Sequence, residues 1–144
     1  MASDTALNAV QLAMVTRLRA DGVLTGRLGG SAQGVTDYVD PKAPYPYLVV
    51  GDADEVPDNA FAQEKREVDV TLHIWDQSRG WKLGTQIVSD VMRLLDYPAQ
   101  LTVVGWPASG PNTAITRWRG TQRLRDPDGI TRHHSVQFRV YVEQ

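Results

Sequence analysis

The stretch Glu67-Val68-Asp69-Val70-Thr71-Leu72-His73-Ile74-Trp75 decides the fold class. Val68, Val70, Leu72 and Ile74 fall on one side of an extended chain, and Glu67, Asp69, Thr71, His73 and Trp75 on the other. This period of two marks a strand with one buried face. The second side carries His73 and Trp75 among its polar groups, so partial cover by another subunit is expected there. The same alternation closes the chain, with Val136, Phe138, Val140 and Val142 facing in and Gln137, Arg139, Tyr141 and Glu143 facing out. Before it, Asp126-Pro127-Asp128-Gly129 places Asp, Pro and Gly where a type I turn favours them. That turn joins a strand from about Ala114 to Leu124 to its partner from Ile130 to Val142.

Working outward, the spacing switches to three and four. Leu7, Val10, Met14 and Leu18 form one helical stripe, with Ser3 or Asp4 as the expected cap and Gly22 as the expected end. Arg17 and Arg19 stand in its last turn, where positive charge complements the helix dipole. Leu12 and Val15 widen the apolar surface, which predicts contacts on more than one side. Asp76-Gln77-Ser78 is read as the turn and cap of a second helix carrying Leu83, Ile87, Val91, Leu94 and Leu95, stopped by Asp96-Tyr97-Pro98. Gly26, Gly29, Gly30 and Gly34 predict irregular chain over residues 25–34. Short strands are expected at Val35–Val39, Tyr47–Val50 (with Pro46 at its start) and Leu101–Val104. Residues 51–63 are polar and acidic, with Phe61 as the only large aromatic, and are read as a long contact arm. The whole predicts one α+β domain over residues 1–144, a mainly antiparallel sheet with two helices packed on one face.

Composition agrees with a folded chain: of 144 residues, 42% are hydrophobic and 22% charged. With no cysteine, disulfides and thiolate metal sites are excluded. The N-terminus lacks the basic and apolar runs of a secretory signal, and no apolar run approaches the ~20 residues of a membrane span. A soluble, unanchored protein is expected, with no membrane partner. The net charge of -2 hides an asymmetry: residues 1–72 carry 6 Lys/Arg against 11 Asp/Glu, while residues 73–144 carry 9 against 6. An acidic patch on one copy meeting a basic patch on the next would suit a head-to-tail contact.

A search for chemistry returns little. His133 and His134 are adjacent on a strand and point to opposite faces, so they cannot share a metal without distortion. No HExxH or CxxC pattern, G-x-S-x-G elbow, phosphate-cradling glycine loop or calcium loop is present. No catalytic, metal or cofactor-binding residue is therefore predicted, and no cofactor. Arg117, Arg119, Arg123 and Arg125 share strand parity and would form one basic stripe, unless Gly120 introduces a bulge that splits it. A solvated face, an acidic neighbouring subunit and passing DNA phosphates are the readings of that stripe; a pI near 5.9 argues against tight nucleic-acid binding, so contact with a subunit is the favoured functional reading and the four arginines are interface candidates. Trp106, in a Gly/Pro/Ser loop, either folds back on the core or anchors an interface. The interface is the favoured reading, and Phe61 joins it as a contact candidate.

The order of these features, with Pro44-Tyr45-Pro46-Tyr47-Leu48-Val49-Val50-Gly51, Val68 to Trp75, a helix from near Gly80 and Leu124-Arg125-Asp126-Pro127-Asp128-Gly129, resembles the small tail-completion or tail-terminator proteins of long-tailed bacteriophages. The resemblance covers almost the whole chain. It implies a structural protein without catalytic residues. It implies a ring, typically six-fold, that docks on the last ring of tail-tube protein and presents a surface to the head–tail connector protein. DNA would only pass through the ring lumen. The expected location is the tail or neck of a virion assembled in the host cytoplasm. A head–tail connector or stopper ring on the portal side is the nearest alternative. A ligand-binding or enzymatic domain using His73 and Asp76 is the alternative of another class, and a plain nucleic-acid binder is a third.

Overall fold

Two twelve-residue strands, β3 (Lys65–Asp76) and β6 (Arg132–Glu143), pair antiparallel along their whole length, from Lys65 opposite Glu143 to Asp76 opposite Arg132. They are the two alternating segments of the sequence. Val68, Val70, Leu72, Ile74, Val136, Phe138, Val140 and Val142 are all buried on one face of this pair. Each such side chain contributes about 1.5–3 kcal/mol on leaving water, so this face is the main source of stability. The computed structural model describes residues 4–107 and 111–143.

The sheet grows outward from this pair. β2 (Tyr47–Pro57) lies beside β3, and the two-residue β1 (Val35–Thr36) runs parallel to β2 at that edge. On the other side β5 (Asn112–Arg125) pairs with β6, and β4 (Gln100–Val103) pairs with the start of β5. The order is β1-β2-β3-β6-β5-β4. Helices α1 (Leu7–Arg19), α2 (Gly22–Arg27) and α3 (Lys82–Leu95) cover the face that carries the buried residues. The α+β architecture and mainly antiparallel sheet stand as read from the sequence, with one short helix added.

That helix takes the first part of the irregular chain expected over residues 25–34, whose end is a 3-10 turn at Ser31–Gly34. α1 stops at Arg19, and Asp21 then accepts from the Leu24 amide at 2.9 Å, capping a new helix that Gly22 opens rather than a chain that Gly22 ends. Gly29 is needed for a close approach: a Cβ there would lie 2.4 Å from the Tyr45 carbonyl oxygen.

The expected cap of α1 is also corrected. Ser3 lies outside the described residues, and Ala6 occupies the cap position with no side-chain acceptor of its own. Glu55, on β2, supplies it instead: its carboxylate accepts from the Ala6 amide and the Thr5 hydroxyl, both at 2.7 Å. A full negative charge at the helix N-terminus is favourable. Arg66 pairs with the same carboxylate at 3.4 Å and lays its guanidinium 4.9 Å from the Trp106 ring centre. Asp76 likewise closes a turn with Ser78 rather than capping α3.

The acidic arm read from residues 51–63 is mostly strand. β2 continues to Pro57 through a bulge between Gly51 and Ala53, with Asp52 at φ +48°. Only the tip beyond Pro57 is loop, and its Ala60 and Gln63 exchange backbone hydrogen bonds of 3.0 and 2.8 Å.

Candidate functional site

The face of the sheet turned away from the helices is where the function-bearing residues collect. By register it carries Asp54 from β2, Glu67, Asp69, Thr71, His73 and Trp75 from β3, and His133, Gln137, Arg139 and Tyr141 from β6. Its two halves differ in charge. Asp52, Asp54, Glu67 and Asp69 lie on β2 and β3, whereas Arg139, Arg117 and Arg119 lie on β6 and β5.

Arg139 is already spent within the chain. It donates to both Asp69 oxygens, at 2.8 and 3.3 Å, and sits 3.6 Å from Glu67. The Asp69 bonds hold its proton more tightly than usual. Arg117 and Arg119 form no ion pair among the described residues. Arg117 lies 4.2 Å over the Tyr97 ring, and Arg119 borders a cleft of about 230 Å³ with Asp52, Asp54 and Asp69. This leaves two cations without an ion-pair partner among the described residues, and of the cleft's carboxylates Asp52 meets His73 and Asp69 meets Arg139.

The predicted basic stripe is therefore split, at the position where Gly120 signalled a bulge. The register of β5 against β6 slips between Trp118 and Gly120, whose φ is +154°. The slip changes parity, so Arg117 shares the open face with Arg139, while Arg123 pairs with His134 on the helix side. There Arg123 donates to the Thr85 hydroxyl at 2.8 Å and stands 5.2 Å from the Trp81 ring centre. Arg125, opposite Arg132, ends the strand on that side.

The histidines divide as their adjacency requires. On the open face Asp52, His73 and His133 form a chain, with 2.7 Å at each link, and His133 stacks on Trp75 at 3.9 Å and 10°. Burial and the neighbouring His73 hold the His133 pKa below the usual imidazole value. His134 is 1% exposed beneath α3, with neither ring nitrogen hydrogen-bonded among the described residues. Burial, then Arg123, lowers its pKa. The catalytic alternative paired His73 with Asp76, but these sit on opposite faces, Asp76 buried under the helices. Both nitrogens of His73 are engaged, one with His133 and one with Asp52.

Phe61 and Trp106 part company. Phe61 stands at the β2–β3 tip with its side chain fully in solvent, 111% exposed, at φ +48°. Trp106 is 1% exposed, and its indole N–H donates to the Asp4 carbonyl at 2.9 Å. It folds back on the core and pins the chain entering α1, so its side chain offers no surface anchor. Part of its loop, residues 108–110, lies outside the described residues. Sequence reasoning did not find the cleft between α1 and β4, lined by Ala9, Leu12, Ala13, Leu101 and Val104. The signal was present in Leu12, which lies off the helix's buried stripe.

Comparison with known proteins bears on this arrangement. No curated protein matches the chain. A chain of a solved structure, the virion of native gene transfer agent (GTA) particle, is 22% identical with a TM-score of 0.81, over 99% of this chain and 100% of that one. At this identity the likeness speaks to the fold alone. A family model described as tail completion protein gp17 matches residues 12–143. With nearly the whole length matched, the chain belongs to the tail completion protein gp17 family.

Proposed function

We propose that the protein closes a phage-type tail as a ring of identical copies seated on the last ring of tail-tube protein, facing the head-side connector protein on its other side. Family membership supports a structural tail protein. The observation that carries the ring is the placing of charge on the uncovered sheet face, with unpaired Arg117 and Arg119 contributed by β5 and exposed Asp52 and Asp54 by β2, Arg119 and both carboxylates lining one cleft. A surface whose two sides complement each other pairs head to tail, and rotation between copies then closes a ring. Subunit closure through Arg117 and Arg119 needs an acidic neighbour, which the β2–β3 side of the next copy supplies. Arg125, on the helix side, remains available to the tube or connector, whereas Arg123 is held by Thr85 and Trp81. DNA passes through the lumen without a dedicated binding site.

Native mass spectrometry tests this, on the protein alone and with its tail-tube subunit. A closed oligomer in either condition is expected, and Arg117→Glu combined with Arg119→Glu should abolish it. Unchanged assembly of the double variant would remove these arginines from the interface. A protein that stays monomeric with tube subunits but assembles with connector subunits would place it on the portal side as a stopper.

A further inference from the structure

Phe61 and the α1–β4 cleft are a projection and a recess on the same molecule, and neither is occupied by the other. The tip bearing Phe61 is stiff. The Ala60–Gln63 bonds close it, and the Asn59 side chain accepts from the Lys65 amide at 3.1 Å. A bulky residue held at φ +48° is conformationally costly and persists only where its surroundings fix it. The result is an aromatic side chain held clear of the protein surface on a tip whose backbone is closed by hydrogen bonds.

The recess has matching chemistry. It encloses about 300 Å³ between α1 and the edge strand β4, against the roughly 150 Å³ in which an apolar cavity holds a benzene ring. Leu12 and Val104 form its walls while 62% and 61% exposed, so both gain from a cover. Arg17 lines it, gives its Nε–H to the Leu94 carbonyl and enters no ion pair among the described residues. Asp58, three residues before Phe61 and exposed, is a carboxylate that can meet it.

We propose that Phe61 of one copy seats in the α1–β4 cleft of the next, with Asp58 facing Arg17. This rests on the ring reading above and names the contact that closes it. The chain does not fill its own cleft: Phe61 stands fully exposed at the β2–β3 tip while Leu12 and Val104 of the cleft are also exposed. Donor and acceptor are different patches, which makes the contact heterologous, as a ring requires.

Complementation tests it. Phe61→Ala removes the donor and Leu12→Glu the acceptor, both at exposed positions, with circular dichroism and thermal melting as folding controls. Under the conditions in which the unmodified protein assembles, each variant alone should remain monomeric, with contact affinity reduced roughly 30-fold or more. Mixed, they retain one intact pair of surfaces, and sedimentation velocity should find a 1:1 dimer that grows no further. Normal oligomers from Phe61→Ala would overturn this contact while leaving the ring intact. An unmodified protein that assembles neither alone nor with tail-tube subunits would overturn the ring reading itself.

Discussion

Replacing Glu55 by alanine tests whether a carboxylate 49 residues away in sequence holds the start of α1. Glu55 accepts from the Ala6 amide and the Thr5 hydroxyl at 2.7 Å and pairs with Arg66 at 3.4 Å. Its side chain is 15% exposed and that of Arg66 13%, so water replaces these bonds poorly. A hydrogen bond to a charged group is worth about 1.5–3 kcal/mol and a helix cap about 1 kcal/mol. These overlap at the Ala6 amide, and Arg66 keeps Glu64 within 3.8 Å. The net loss should be about 3 kcal/mol, a fall in Tm of about 10 °C at the few degrees per kcal/mol usual for a chain of this size. Glu55→Gln should lose about half as much, because one amide oxygen still accepts while the NH₂ group meets donors. Urea unfolding followed by circular dichroism measures both, with an unchanged m-value as the two-state check. A Glu55→Ala protein within about 0.5 kcal/mol of the original, the error of a neutral surface change, would refute the long-range cap.

Gly84→Ala should destabilise by about 1–3 kcal/mol through overpacking, since its Cβ would lie 2.5 Å from His134 Cε1; thermal melting reads it, and an unchanged Tm would contradict the tight α3–β6 approach. Because burial lowers the pKa of His133 and His134 in the fold, the unfolded chain takes up protons first as pH falls below about 6.5. Stability should therefore be full above that pH and decline below it. His134→Leu should flatten this decline and be neutral or stabilising, because no hydrogen bond is lost; a steeper decline in urea titrations between pH 7 and 5 would count against it. Trp106→Ala should cost about 3–5 kcal/mol, whereas Phe61→Ala should leave the stability of the isolated chain within about 0.5 kcal/mol, a contrast differential scanning calorimetry at low concentration can read.

The parts of the fold that were legible share one property: their signal lies within a few residues. β3 and β6 alternate cleanly because one face meets helices and the other does not. α3 repeats its apolar residues at three and four because one stripe is buried. β2 beyond Gly51 was misread because its residues are acidic and exposed, so composition resembled loop while the backbone stayed paired to β3 as far as Pro57. The cap of α1 left no local trace, since its acceptor comes from another strand. α2 was masked by two glycines, although Asp21 carried the cap signal. At the site, Gly120 did announce the bulge that divides the arginines. The direction of Trp106 was not recoverable, because a loop tryptophan reads alike whether it packs inward or outward.

The shortness of β4 has a consequence for solubility. It shields β5 only from Asn112 to Ile115, while β5 runs on to Arg125. Tyr97 and Asp96 then meet Thr116 and Trp118, and from Arg119 on no strand among the described residues lies alongside β5, the kind of margin that invites identical chains to stack without limit. Here that margin is bent by a bulge and carries Arg119, Arg123 and Arg125, so two copies approaching edge to edge meet like charges and mismatched curvature. Such repulsion and curvature oppose open-ended stacking of copies through this margin.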